Sequence, residues 1–155
     1  MKKRQKSMLA EITVVVAITT FAVLAMINFK DYINKSEATK SFYSLSSIIK
    51  NYKERYGSIP PESYIQQIRD GLQGSLRLGG VQYRSRWIDF DSPPDTVLAY
   101  TERNFRSPFV DGGYVVLTLN GQVQWMGKKE FEQILATQQK PQEIESLKKE
   151  PFHNL

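Results

Sequence analysis

Apolar residues crowd the first fifty-six positions in two different ways. Residues 12–29 carry no charge over 18 consecutive positions. As a helix rising about 1.5 Å per residue this run would reach about 27 Å, close to the hydrocarbon thickness of a bilayer, and it predicts a membrane span. From there Phe29, Ile33, Ala38, Phe42, Leu45, Ile49, Tyr52 and Tyr56 recur mainly at steps of three or four. Lys30, Asp31, Lys35, Glu37, Lys40, Lys50, Lys53 and Glu54 stand between them. That spacing predicts an amphipathic helix in phase with the span. No proline or glycine precedes Gly57, which falls where a helix C-cap belongs, and Pro60 and Pro61 follow shortly after. The two runs therefore read as one helix of nearly fifty residues, about 70 Å long. Its second half is apolar along one stripe only and must pack on a head, with Phe42, Leu45, Ile49 and Tyr52 as the expected packing residues.

The rest of the chain carries shorter signals. Residues 62–71 can make a brief helix bearing Ile65 and Ile68, and "GLQGSLRLGG" at 71–80 reads as a glycine-rich loop. Strand-like segments follow at 81–90, 96–101, 114–119 and 122–126. "YVVLTLNGQVQW" predicts a two-residue hairpin turn at Asn120-Gly121. Residues 128–139 form a brief amphipathic helix with Phe131, Ile134 and Leu135 on one side, and from Lys140 the chain is polar, contains Pro141 and Pro151, and reads as a flexible tail. The expected architecture is α+β: a long N-terminal helix whose stripe covers one face of a small antiparallel sheet. The expected divisions are 1–7 basic leader, 8–29 transmembrane half of the helix, 30–56 its amphipathic half, 57–139 head and 140–155 tail.

The chain has 155 residues, enough for one small domain with appendages, and a formal charge of +5. Lys2, Lys3, Arg4 and Lys6 supply four of those charges; from Ser7 onward 17 basic residues face 16 acidic ones. The basicity belongs to the extreme N-terminus, which argues for the cytoplasmic face of a membrane and against phosphate binding by the body. By the positive-inside rule everything after Phe29 then lies on the far side, periplasmic or extracellular. A cleaved secretory signal is the rival reading, with "VLA" at 23–25 as its cutting site. Glu11 fits that rival badly, because an ionisable group at the mouth of an apolar run costs roughly 2 to 3 kcal/mol. The chain has no cysteine, hence no disulfide or thiolate metal site, and its only histidine is His153.

A basic leader, a small residue, a hydrophobic residue, a glutamate near the fifth mature position, and an apolar run continuing into an amphipathic helix with a compact C-terminal body resemble the type IV pilin and pseudopilin family. The resemblance covers roughly residues 2–56, and "YKERYGSIPPE" at 52–62 is similar to the point where family members leave the helix. It implies a leader removed by a membrane aspartic protease, the leader peptidase, and an inner-membrane assembly platform. It also implies self and other pilin-like subunits as partners in a helical filament. Glu11 would then pair with the N-terminal amine of a neighbouring subunit during assembly, which agrees with the need of a carboxylate in a low-dielectric setting for a compensating charge. The glycine usual before the cut is missing. Cutting between Lys6 and Ser7 makes Glu11 the fifth residue but puts a long cation in a pocket suited to a small one; cutting between Ser7 and Met8 supplies the small residue and leaves the acid fourth. An uncleaved anchor whose Glu11 snorkels to the interface is the bland alternative. The "LNGQVQWM" ending resembles a terminal hairpin of pseudopilins, without the Asp-Gly turn and upstream histidine of that group.

Three further chemistries stand beside this reading. Asp89, Asp91 and Asp95, with Asp111, could supply oxygen ligands for calcium, although "DFDSPPD" lacks the glycine and closing glutamate of an EF-hand; turn capping around Pro93-Pro94 is the simpler role. "YRSRW" and "RNFR" interleave Arg84, Arg86, Arg103 and Arg106 with Tyr83, Trp87 and Phe105, a composition suited to single-stranded nucleic acid or cargo. On a strand, though, alternation gives Arg84 and Arg86 a solvated face and Tyr83, Ser85 and Trp87 a core face. No nucleophile elbow, histidine pair or phosphate loop is present, so no enzyme is expected. The sequence thus predicts a filament subunit held in the inner membrane. The alternatives are a single-pass anchored periplasmic binding module that does not polymerise, and a minor subunit binding DNA or cargo through the arginine face.

Overall fold

The computed structural model describes residues 3–69, 71–72, 80–89, 91–105, 107 and 109–149. Helix α1 spans Lys3–Tyr56, 54 residues without a break and about 80 Å long. It stops at Gly57, which takes the left-handed conformation (φ +71°) and donates its N–H to Lys53 O at 2.8 Å, closing the last turn as the sequence predicts. A short helix α2 (Glu62–Arg69) follows. The strands β1 (Gln82–Tyr83), β2 (Val97–Arg103), β3 (Gly113–Thr118) and β4 (Val123–Gly127) form one antiparallel sheet in the order β1-β2-β3-β4. Helices α3 (Lys128–Gln138) and α4 (Pro141–Lys149) end the described chain. The fold is α+β: a long apolar N-terminal helix packed on a four-strand antiparallel sheet, a pilin-like architecture.

The sheet is buried on both faces. Ala38, Phe42, Leu45 and Ile49 of α1 pack with Ala99, Val115 and Leu117 on one face. Tyr100, Val116 and Met126, the alternate positions, pack on Phe131, Ile134 and Leu135 of α3 on the other. An irregularity between Val97 and Ala99 shifts the β2 register there. Gly113 sits where a Cβ would meet the Trp125 indole at 2.8 Å, so the β3–β4 pairing requires a residue without a side chain at that position.

Several sequence expectations change. Within 81–90 only Gln82–Tyr83 is strand; Ser85–Trp87 is a 3-10 turn, closed by Trp87 N donating to Arg84 O at 2.9 Å. The chain leaves the ladder there because Arg84 turns into the interior. The hairpin loop is longer than two residues: Gly121 N donates to Thr118 O (2.9 Å), Thr118 N to Gln122 O (3.0 Å), and Gly121 alone has positive φ (+86°), giving a turn followed by a left-handed residue. Residues 141–149, expected to be tail, are helical. Phe29 and Tyr56, expected on the packing stripe, are exposed. The segment 73–79 of the glycine-rich stretch and His153 lie outside the described residues.

Candidate functional site

The first half of α1 holds most of the large exposed apolar side chains among the described residues. Phe21 is 74% and Met26 73% exposed, and Met8, Leu9, Ile12, Val14, Val15, Val16 and Ile18 are exposed with them. None of the most apolar 18-residue window is buried within the chain, and the helix is long and apolar enough to cross a membrane by length and composition. Its hydroxyls are satisfied internally: Thr13 donates to Leu9 O (2.9 Å), Thr19 to Val15 O (2.9 Å) and Thr20 to Val16 O (2.8 Å). Back-bonding of this kind lets threonine sit in an apolar medium without an orphan donor. Glu11 is exposed near the start of this surface, one turn after Met8, which is also exposed. Lys6 and Ser7 belong to α1, but their side chains lie outside the described residues.

The second half is buried where the stripe predicts. Phe42 is fully inaccessible, Leu45 and Ile49 nearly so, and Tyr52 is half-buried with its ring against Tyr56 (4.5 Å) and Tyr64 (4.9 Å). Between the halves, the loop after β2 clamps the helix. Ser107 N donates to Asp31 Oδ2 at 2.8 Å and Ser107 Oγ bonds Asn28 Oδ1, while Ser107 Oγ also accepts from Phe109 N (3.0 Å). Asp31, read from the sequence as part of the polar face, is therefore buried. One turn further on, Lys35 Nζ lies 4.1 Å from the Trp125 ring centroid, and Trp125 stacks on Phe105 at 5.7 Å. The hairpin tip adds a fixed point through Ser46 Oγ, which donates to Gly121 O at 2.8 Å.

Arg84, Arg86 and Arg103 do not share a face. Arg84 is buried: its Nε donates to Glu143 Oε1 (2.6 Å), Nη2 to Glu143 Oε2 (2.9 Å) and Gln138 O (3.2 Å), and Nη1 to Val97 O (2.7 Å). That fork bridges the sheet edge to α4, and with both side chains 4% exposed or less it is almost closed to solvent. Arg86 is exposed and pairs with Glu62 at 2.9 Å. Arg103, at the end of β2, is half-buried, and burial lowers its pKa. Arg106 lies outside the described residues. Arg84 accordingly cannot serve a nucleic-acid or cargo surface.

The aspartates are not assembled either. Among the described residues no three groups of metal-binding type come together, and Asp89 is ion-paired to Lys140. Buried beside the Arg84–Glu143 pair, the Tyr100 phenol is pushed up to about 12 by desolvation, with the Glu143 charge adding to it. Glu102 is held below the usual carboxylate range by its 2.6 Å bond from Lys128 on the exposed rim of the sheet. No known protein family, curated protein or solved structure matches the chain.

Proposed function

We propose that the chain is a structural subunit of a helical filament of the type IV pilus or type II secretion kind. Before assembly α1 holds it in the inner membrane, with the leader in the cytoplasm and the head on the periplasmic or extracellular side. The observation that carries this reading is the change of surface along one unbroken helix: apolar and exposed up to Phe29, apolar and buried in the head from Ala38. Exposed apolar surface of that extent needs lipid, or the same surface of other copies, to leave water. A filament supplies both in turn, because helices drawn from the bilayer pack against one another.

Glu11 gives the reading its chemistry. A carboxylate among exposed Met8, Leu9 and Ile12 enters a low-dielectric bundle only with a cation beside it. An α-amino group freed by cutting between Lys6 and Ser7, or between Ser7 and Met8, is such a cation on a neighbouring subunit. Leader peptidase and an assembly platform are the partners this process needs; no catalysis by the chain itself is part of it. The second reading, a single-pass anchored module that does not polymerise, draws on the same apolar helix.

Intact mass of the chain purified from membranes, together with sedimentation of its polymers, separates the readings. Loss of six or seven N-terminal residues and polymers that disappear in Glu11→Ala support the filament. A full-length chain that never sediments supports the anchor, loss of about twenty-five residues supports a secretory signal, and normal polymerisation of Glu11→Ala overturns the role given to Glu11.

A further inference from the structure

The loop after β2 is fastened to α1 at the end of the charge-free run. Ser107 N donates to Asp31 Oδ2 at 2.8 Å, and Ser107 Oγ bonds Asn28 Oδ1 and accepts from Phe109 N at 3.0 Å. Ser107 and Asp31 are both buried, so these bonds are closed off from water. Phe109 is thus one hydrogen bond from the oxygen that holds Asn28, and its own side chain is 73% exposed. The hairpin tip is fastened separately, by Ser46 Oγ donating to Gly121 O. Ser46 follows Asn28 by about 27 Å along the helix. The head therefore lies along α1 with the loop that carries Phe109 nearest the apolar half and the hairpin tip at the far end.

Level decides the partner. As a helix, residues 12–29 reach about 27 Å, slightly less than the hydrocarbon thickness of about 30 Å, so a span made from them has no length to spare. Asn28, within that run, then lies at the outer edge of the hydrocarbon. A bilayer surrounds a spanning helix on every side, so whatever is bonded to the flank of α1 at Asn28 lies beside lipid whichever way that flank faces. A second copy would have to meet one particular flank. A single exposed phenylalanine is ordinary on a surface in water. This one shares its level with exposed Met26, Phe29 and Tyr32 on the helix, and aromatic side chains collect at the membrane boundary. Lys30 and Asp111, both exposed, follow directly on the helix and on the loop and keep the contact shallow. We propose that Phe109 seats the loop after β2 in the interfacial layer of the bilayer, a second lipid contact that holds the head down on the membrane that α1 crosses. The contact draws on apolar burial and needs no particular headgroup.

The proposal rests on the reading of α1 as a membrane span, and the test separates the two. The chain has no cysteine, so Phe109→Cys, Met26→Cys and Gln122→Cys each carry one environment-sensitive fluorophore at an exposed position of the full chain. The labelled chains are placed in phosphatidylcholine vesicles and quenched either by spin-labelled phosphatidylcholine or by aqueous iodide. The expected result is lipid quenching at 109 approaching that at 26, and iodide quenching at 122 on the hairpin tip. A label at 109 that iodide reaches as freely as at 122 overturns the contact. So does shielding at 109 that appears in detergent without vesicles and fades on dilution, because a second copy is then the cover. Asp111→Cys tests Phe109 itself: lipid quenching of a label there should fall about fivefold when Phe109→Ser is added, and an unchanged value overturns the role of Phe109. Met26→Cys reads the span independently. Lipid quenching at 26 but not at 109 removes only the loop contact, and quenching at neither removes both.

Discussion

Replacing Glu143 by Gln perturbs the buried ion pair with Arg84 that joins α4 to the edge of the sheet. The variant keeps the volume and one acceptor oxygen but removes the negative charge. Arg84 would then retain Val97 O and Gln138 O as partners and lose the two charged contacts at 2.6 and 2.9 Å. Both side chains are almost fully withdrawn from solvent, so water cannot replace the lost carboxylate without opening the α4 contact. Breaking a buried pair from one side costs about 3 to 5 kcal/mol, because it strands the other charge. At about 2 to 4 °C per kcal/mol for a chain of this size, the melting temperature should fall by about 6 to 20 °C. Urea unfolding of the full chain in detergent micelles, followed through Trp87 and Trp125, measures the loss. The double variant Arg84→Met with Glu143→Leu removes both charges and should recover most of it, since desolvation is then no longer unopposed. A loss below about 1 kcal/mol in Glu143→Gln, or a double variant no better than the single, would refute the stranded-charge reasoning.

Two further substitutions test the packing. Phe42→Ala deletes a fully buried ring between α1 and the sheet and should cost about 3 to 5 kcal/mol in the same urea assay; a cost under about 1 kcal/mol would mean that the stripe does not hold the head. Tyr100 predicts alkaline instability: its folded pKa, raised to about 12 against 10.0 in an ordinary phenol, means that the unfolded chain releases its proton first. The associated stability, at most about 3 kcal/mol at about 1.4 kcal/mol per pKa unit, is fully present below pH 10 and lost as pH climbs toward 12. Tyr83, also raised by burial, adds loss of the same sign. Stability measured from pH 9 to 12 should therefore decline less steeply in Tyr100→Phe than in the parent, and identical slopes would count against the desolvated phenol.

How much of this was legible follows from the range of each interaction. Ala38, Phe42, Leu45 and Ile49 repeat at helical steps, and a stripe of that kind reports its own burial; Gly57 marks the helix end for the equally local reason that the cap needs positive φ. Arg84 had no such signal. Its partner is 59 residues away, and without Glu143 the segment around it reads as a strand with two arginines on its solvated side. Asp31 was misplaced for the same reason, since its partner Ser107 is 76 residues distant. The α4 segment did carry a local sign that composition obscured: Pro141 occupies the first helical position, where its missing N–H costs nothing, and Glu143 lies in the first turn. The two-residue turn expected at Asn120-Gly121 became a longer loop because only Gly121 takes positive φ, while the Asn120 side chain accepts from Gln122 N at 3.0 Å.

The way α1 joins the head bears on what a contact along its apolar half can accomplish. From Phe29, where the charge-free run ends, to Ala38, where the sheet begins to cover the helix, is nine residues, about 14 Å of rise. A bare stalk of that length would leave the head's orientation to one end of the stripe. Instead Ser107 grips Asn28 and Asp31, and Trp125 lies against Lys35, so the head touches α1 at the start of that stretch and again within it. Rotation of the helix about its axis must then carry the head with it. Glu11 lies 27 residues before Ala38, about 40 Å along the same uninterrupted helix. In the proposed filament, a charge pairing that fixes the rotation of α1 at Glu11 would therefore fix which way the sheet and the α4 face point. The residues that make this coupling rigid are Ser107, in the loop after β2, and Trp125, in β4.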